Sequence, residues 1–408
     1  MAPLLLAAAA TAAGAQELQI SGGGDGHGVG MSQWGAYGYA EHGATDEQIL
    51  AHYYTGTTLT TVPSTSVVSV LLRGNVASAR VRGEDNVRDA AGHAHRLNPR
   101  TTYSFALDGA REVSLNGRAL PAPIVLEPGP RPMRVLGAAQ NGVSNGTYRG
   151  QIVLRAAVHG GMSVINRIRD DQYVMGVISG EEPSSWPAAA LEAQAVAART
   201  YGLTSTGPAG SGFNVYSNTQ SQMYLGVHGE TAATDAATTA TAGQVVTYAG
   251  KPVITYFFSS SGGYTESIQN AFAGAQAEPW LVGVPDPYDT GPDHSWRYRM
   301  SFATAAAKLS GLVQGSFEGI EVLSRGVSPR VVTAEVLGSG GATPTTGSEL
   351  AARFGLPSTW EDFSTVEPGG QVVPEPDKSG QSLLPPAPGA PTGPTGTSGP
   401  TGGTSAHR

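Results

Sequence analysis

The chain has 408 residues, of which only 14% are charged and 56 are glycine, with a formal net charge of −8. That balance argues against nucleic acid, whose phosphates demand clustered Lys and Arg, and predicts no strong pull towards anionic wall polymers. There is no cysteine, which excludes disulfides, thiolate zinc sites and a cysteine nucleophile together and leaves acids, His, Ser and Tyr to carry any chemistry.

The first residues, MAPLLLAAAATAAGA, form an apolar run ending in Ala13-Gly14-Ala15, an A-x-A cleavage pattern without the usual basic start. A removed signal peptide over 1–15 is expected, with a buried helix as the other reading. No other segment approaches the ~20 apolar residues of a membrane span. Sparse charge with abundant Gly, Thr and Ala fits an exported, loop-rich, β-containing protein.

Six glycines crowd the ten residues Gly22 to Met31. Such a run makes turns closed to other residues or lets backbone approach a ligand closely. A dinucleotide loop is rejected, because no frame gives G-x-G-x-x-G and no strand is expected before it. Thr45-Asp46-Glu47-Gln48 reads as a helix start, with Ile49, Leu50, Tyr53 and Tyr54 as its apolar face. His27, His42 and His52, separated by 15 and 10 residues, fit no familiar metal spacing, and no metal or other cofactor is expected.

From Ser66 to about Arg169, apolar runs such as VVSVLLRG, PIVLEPG and YRGQIVLRA, punctuated by Gly, Pro or Asn-Gly, predict the strands of an antiparallel sheet. Ala188 to Leu203 predicts a helix, since Ala, Leu, Glu and Gln lose little entropy there, with Pro187 in the first turn and Ser184 or Ser185 as cap. Glu230 to Ala242 reads as helical, then QVVTYAG and KPVITYFFSSS as strands. Ser259, Ser260 and Ser261 precede Gly262-Gly263 without completing G-x-S-x-G, which favours a turn over a nucleophile. A short helix at Ser301 to Leu309, a hairpin from IEVLSRG and VVTAEVLG, and a helix over Gly347 to Phe354 follow. The last 42 residues, 367–408, are dominated by Pro, Gly, Ser and Thr and predict a disordered tail.

Between the apolar run Tyr173 to Ile178 and the Ala188 helix stand Glu181 and Glu182, on a short connection stiffened by Pro183 and Pro187. Two readings remain open at this point. The acids complement the helix dipole, an exposed effect of about 0.3–1 kcal/mol, or one of them is a catalytic carboxyl held in a fixed direction.

This stretch resembles the SpoIID/LytB family, that of stage II sporulation protein D and the amidase enhancer. The hallmark G-V-x-x-x-E-x-P-x-x-W/F is met by Gly176, Val177, Glu181, Pro183 and Trp186, and the helix pattern A-L-x-A-Q-A-x-A-A-R-T-Y runs from Ala190 to Tyr201. A second hallmark, G-H-G-V-G-x-S-Q-x-G-A followed by I-L-x-H-Y-Y-x-G-T, is met from Gly26 to Thr57. Family-like positions continue at Gln222, Tyr224 and Gly226, at Ser259 to Glu266, and at Pro279 to Asp289. In the sporulation protein the Gly-His-Gly motif closes the domain, whereas here it opens the mature chain, so a circular permutation is expected.

What the resemblance implies is an α+β, antiparallel β-rich fold with a central helix after the catalytic loop. The expected layout is a motif segment over 16–62, a core over 63–310, its C-terminal part over 311–366, and the tail. The implied activity is that of a secreted or wall-associated lytic transglycosylase acting on peptidoglycan glycan strands stripped of stem peptides. Glycoside hydrolysis normally takes two carboxylates. Lytic cleavage takes one, because the sugar's own 6-hydroxyl attacks its anomeric carbon while a single acid donates and then accepts a proton. By carry-over that acid is Glu181, kept protonated by burial. His27, Ser32, Gln33, Gln222, Tyr224, Ser261, Glu266 and Trp186 are the implied groove residues, with Trp34 and Tyr37 as further sugar-stacking candidates. The rival reading is a non-catalytic, glycan-binding activator whose partner is a cell-wall amidase.

Overall fold

The computed structural model describes residues 16–380 apart from 64, 84–85, 110–111 and 130. The expected signal peptide and most of the expected tail therefore lie outside the described residues. The fold is α+β and rich in antiparallel strands.

Residues 67–169 build two facing sheets, one of six strands centred on Gln151–Ala156 and Met162–Arg169 and extended at its edge by Val215–Tyr216, the other of six centred on Thr102–Asp108 and Ser78–Arg82. Alternation drives the pairing. In Ser78–Arg82, Ala79 and Val81 point inward while Ser78, Arg80 and Arg82 face solvent. The inward residues of both sheets close one core, with Phe105, Val113, Ile124, Leu154 and Val164 fully or almost fully buried.

A second core forms around α1 (Gln33–Glu41), α2 (Asp46–Tyr53) and α5 (Ala188–Thr204). The expected start of α2 is present as a capping box in which Thr45 Oγ1 accepts from the Gln48 N–H and the Gln48 side chain reaches back to the Thr45 N–H. Seventeen residues make α5 about 25 Å long. Leu191, Ala195 and Ala198 pack into the sheet core, and Ala193, Val196 and Ala197 into the helical one. Alanine on both faces lets both cores reach this one helix. Arg199, with no exposed surface, ties α5 down by donating to Asp171 at 2.9 Å and to the carbonyls of Gln244 and Thr238.

A third core unites the chain ends. Strand Glu17–Gly22 runs antiparallel between Trp296–Ser301 and Glu361–Val366. The hairpin expected from IEVLSRG and VVTAEVLG is Phe317–Arg325 with Val331–Gly338, and the helix Gly347–Phe354 ends on Gly355 in the left-handed conformation.

Four expectations change. A strand does precede the glycine run, because Leu18 and Ile20 alternate into the third core. The expected serine cap is absent: α5 has Pro187 as N-cap with no side-chain bond to its first turn, and is preceded by two short helices, α3 (Asp170–Met175) and α4 (Ile178–Glu181). KPVITYFF is not one strand, since only Lys251–Pro252 and Phe257–Phe258 pair. Finally, order continues past residue 367: Val372–Pro374 pairs with Glu361–Val366, and Asp377 bonds Arg325 at 3.0 Å. A proline-containing strand is tolerated there because it lies at the sheet edge.

The glycine run wraps one of the chain's own side chains. Arg330 is 1% exposed and donates to the carbonyls of Tyr264 and Ser261. A Cβ on Gly28, whose φ is +84°, would lie 2.7 Å from Arg330 Nε, and one on Gly24 would lie 2.9 Å from Nη2. Burial draws the Arg330 guanidinium down to about 10, against the countercharges of Glu266 and Asp289. Arg330→Met would leave two buried carbonyls without their donor and remove the countercharge of two buried acids, an expected loss of about 3–5 kcal/mol. The check is the denaturant midpoint; equal stability would remove Arg330 from the supports of the fold.

Candidate functional site

Glu181 is the last residue of α4, half-buried at the surface between α1 and the loop 218–225. Two glycines bring that loop in. A Cβ on Gly176 would meet Tyr224 Cε2 at 2.7 Å, and one on Gly180 would meet the Met223 carbonyl at 2.7 Å. With both bare, the Met223 N–H donates to Glu181 Oε1 at 2.5 Å, while Gln33 Nε2 approaches the Glu181 carbonyl at 3.5 Å from the start of α1. Desolvation raises the Glu181 pKa, and the bonds from Met223 and Gln33 only partly oppose it. A carboxyl in that state holds its proton to higher pH than an exposed glutamate.

Trp34, which follows Gln33 in α1, Tyr37 of α1 and Trp186, five residues after Glu181, form one aromatic cluster. Their ring centroids are 4.9 Å apart for Trp34 and Trp186, 5.1 Å for Tyr37 and Trp186 and 5.5 Å for Trp34 and Tyr37. All three are half-buried, so each offers ring surface to solvent. Near the same loop lies a hollow of about 410 Å³ lined by Tyr201, Asn214, Tyr216, Gln220, Ser221 and Tyr256.

The other motif residues are spent internally. Tyr224 and Gln222 have no exposed surface: the Tyr224 hydroxyl donates to Asn166 at 2.6 Å, and Gln222 accepts from the Tyr173 hydroxyl. They support the Met223 loop from below. Ser32 is buried as the N-cap of α1 and bonds Asp286. Ser261 is buried between Asp286 and Asp289, at 2.7 and 2.9 Å. Glu266 is consumed by Ser267, Asn270, Val327 and Ser328, which supply three backbone N–H groups and two side-chain donors. A side chain with no free surface cannot meet a ligand in this state.

His27 sits in a box of Tyr256, Phe258 and Phe272, and its Nδ1 accepts from the Val29 N–H at 3.1 Å. Burial first and the charge of Arg330 second push it down to about 4, so it is neutral near pH 7. The structure thus brings the buried Gln33 to the Glu181 carbonyl, leaves Glu181 and Trp186 half-buried, and places His27, Ser261 and Glu266 around the Arg330 knot. The Met223 N–H escaped sequence reading because any residue type supplies it. Asp286 was visible only as a motif position; burial and Asp289 raise it to about 7.

Glu182 points inward, 2% exposed, and among the described residues its carboxyl oxygens have no hydrogen-bond partner. Burial, then the charge of Glu181, raises its pKa well above the ordinary value.

Residues 158–248, from the sheet module through α5 to the strand after it, match the model of the stage II sporulation protein family. That segment is similar to the SpoIID family. It is 29% identical over 227 residues to stage II sporulation protein D of Bacillus subtilis, covering 51% of this chain and 64% of that one. It is 36% identical over 126 residues to the amidase enhancer of the same organism, 31% of this chain and 16% of the enhancer. An uncharacterized protein of Brachyspira hyodysenteriae is 35% identical over 143 residues, 35% of this chain and 38% of that protein. The chain therefore spans less than two thirds of each relative it matches. Among the described residues, no helix is long and apolar enough to cross a membrane.

The buried acid of this family segment yields a stability prediction. A carboxyl whose folded pKa is raised binds its proton more tightly folded than unfolded, so its contribution is full below about pH 4.3, the unfolded value, and is lost as pH rises towards the folded one. Glu182→Gln is expected to flatten the fall of melting temperature with rising pH, gaining stability near pH 8 and little near pH 4. Parallel curves for both proteins would mean that Glu182 does not titrate with folding.

Proposed function

We propose that the chain is a peptidoglycan lytic transglycosylase that cuts glycan strands between N-acetylmuramic acid and N-acetylglucosamine, outside the cytoplasmic membrane. The observation that carries this reading is the Glu181 carboxyl, raised by desolvation and held by the Met223 N–H, with half-buried tryptophans on the same two segments, Trp34 next to Gln33 and Trp186 five residues after Glu181. Aromatic rings of this kind cover the apolar faces of sugars. Strands without stem peptides are the expected substrate. The position of Glu17–Gly22 between two C-terminal strands supports reading the domain as circularly permuted.

In this mechanism protonated Glu181 gives its proton to the glycosidic oxygen as the bond to the muramyl anomeric carbon breaks. The Glu181 carboxylate then takes the proton of the muramyl 6-hydroxyl as that oxygen bonds to the same carbon, leaving a 1,6-anhydro end and a regenerated acid. No water is consumed, and no second carboxylate is required. Gly176 and Gly180 keep the Met223 loop close enough to orient the acid, and Gln222 and Tyr224 hold that loop in place.

The second reading is an activator of a separate cell-wall amidase, favoured by the segment shared with a relative named amidase enhancer. Denuded glycan incubated with the protein and analysed by mass spectrometry separates the two. New 1,6-anhydromuramyl ends are expected from the unmodified chain, with Glu181→Gln slower by about 10²–10⁴-fold. The rate should fall as pH rises through the raised Glu181 value, because only the acid form can start the reaction. Reducing ends would mean hydrolysis, and glycan binding without cleavage would support the activator. Trp186→Ala is expected to raise KM more than it lowers kcat; an unchanged KM would place the aromatic cluster outside the binding surface.

A further inference from the structure

The net charge of −8 conceals a partition. Between Val67 and Arg169 there are 14 arginines and no lysine against six acids, a net +8, whereas the rest of the chain has 10 Lys and Arg against 26 acids, a net −16. The absence of electrostatic pull expected from the sum therefore does not hold for the two-sheet module.

Within that module a concavity of about 620 Å³ is lined by Arg131, Arg149, Arg167 and Arg169, with Glu127 and Gln151 among its other residues. Arg149 is occupied, since Nε and Nη2 grip the Glu230 carboxylate at 2.7 and 2.6 Å. Arg131, Arg167 and Arg169 are exposed and make no side-chain hydrogen bond or ion pair among the described residues. The single acid in the lining is already engaged: Glu127 Oε2 accepts from Gln151 at 2.8 Å, and Oε1 lies 3.6 Å from Arg88 Nε. Elsewhere on the module, Arg82 stands directly opposite Arg134 across a ladder. Like charges so placed are destabilising, and here they strengthen the positive field of the module.

We propose that this concavity binds a phosphate-bearing polyanion. Arginine fits because its planar fork grips oxyanions and it cannot deprotonate. Arg167 and Arg169 are two residues apart on one strand, so their Cα atoms are separated by about 6.6–6.8 Å along it. That span suits two linked phosphates better than one carboxylate, which can satisfy only one or two forks. The acidic remainder of the chain opposes a long duplex, so the ligand is a short run of linked phosphates. This site does not depend on Glu181 or on the glycan reading.

The test is isothermal titration of the full chain with inorganic tripolyphosphate, and with citrate at matched ionic strength. Tripolyphosphate is expected to bind more tightly than citrate and to weaken as salt is added. Arg167→Gln/Arg169→Gln should cost about tenfold or more in affinity with an unchanged melting temperature, since neither guanidinium holds an internal partner. Arg118→Gln, exposed on the same module away from the concavity, and Glu181→Gln should both bind as the unmodified chain does. Equal affinity in the double variant, tighter binding of citrate, or no binding of tripolyphosphate would each overturn the proposal.

Discussion

Both faces of α5 have to be covered, and most of the architecture is the means of covering them. Its alanines leave little side chain between the helix backbone and its neighbours, so the two-sheet module approaches one face and α1, α2 and the strand Gln244–Tyr248 approach the other. Arg199 completes the enclosure by satisfying carbonyls that would otherwise be buried without a donor. The fixed helix also fixes what lies just before it. Glu181 and Trp186 stand on the short entry to α5, and α1, carrying Gln33, Trp34 and Tyr37, packs against the same helix.

Around this centre the protein uses polar motif residues as masonry. Ser32, Ser261, Asp286 and Asp289 join the start of α1 to the Gly262 turn, and Glu266 closes the Val327–Ser328 turn. Arg330 lies between these groups and the glycine run. Burying charges is costly unless each is bonded and balanced, which accounts for so many polar partners being held together. Only Glu181 among the motif acids stays half-open to solvent, and that exposure gives its raised pKa a chemical use.

Local rules made much of this readable in advance. The cap at Thr45, the stop at Gly355, the alternating strands of the two-sheet module and the alanine-rich helix all follow from propensities acting over a few residues. The family segment pointed to Glu181 and Trp186. What stayed hidden depends on distant residues. The destination of Arg330 requires Gly24 and Gly28 some 300 residues earlier. The roles of Tyr224 and Gln222 depend on which way each side chain turns, and a motif records residue type without direction. The arginine-lined concavity vanished in a whole-chain sum, because the acids that cancel it lie in other parts of the fold.

The strand Glu17–Gly22 carries a kinetic consequence. It is central in its sheet, yet both its neighbours begin about 280 and 340 residues downstream, at Trp296 and Glu361. Contact order this high makes closure slow. A chain that emerges N-terminus first carries Leu18 and Ile20 uncovered until nearly all of the folded part has followed, an interval in which an unpaired strand invites edge-to-edge association. The sheet that joins the first and last described strands is therefore the last to assemble, and its opening would release both strands together.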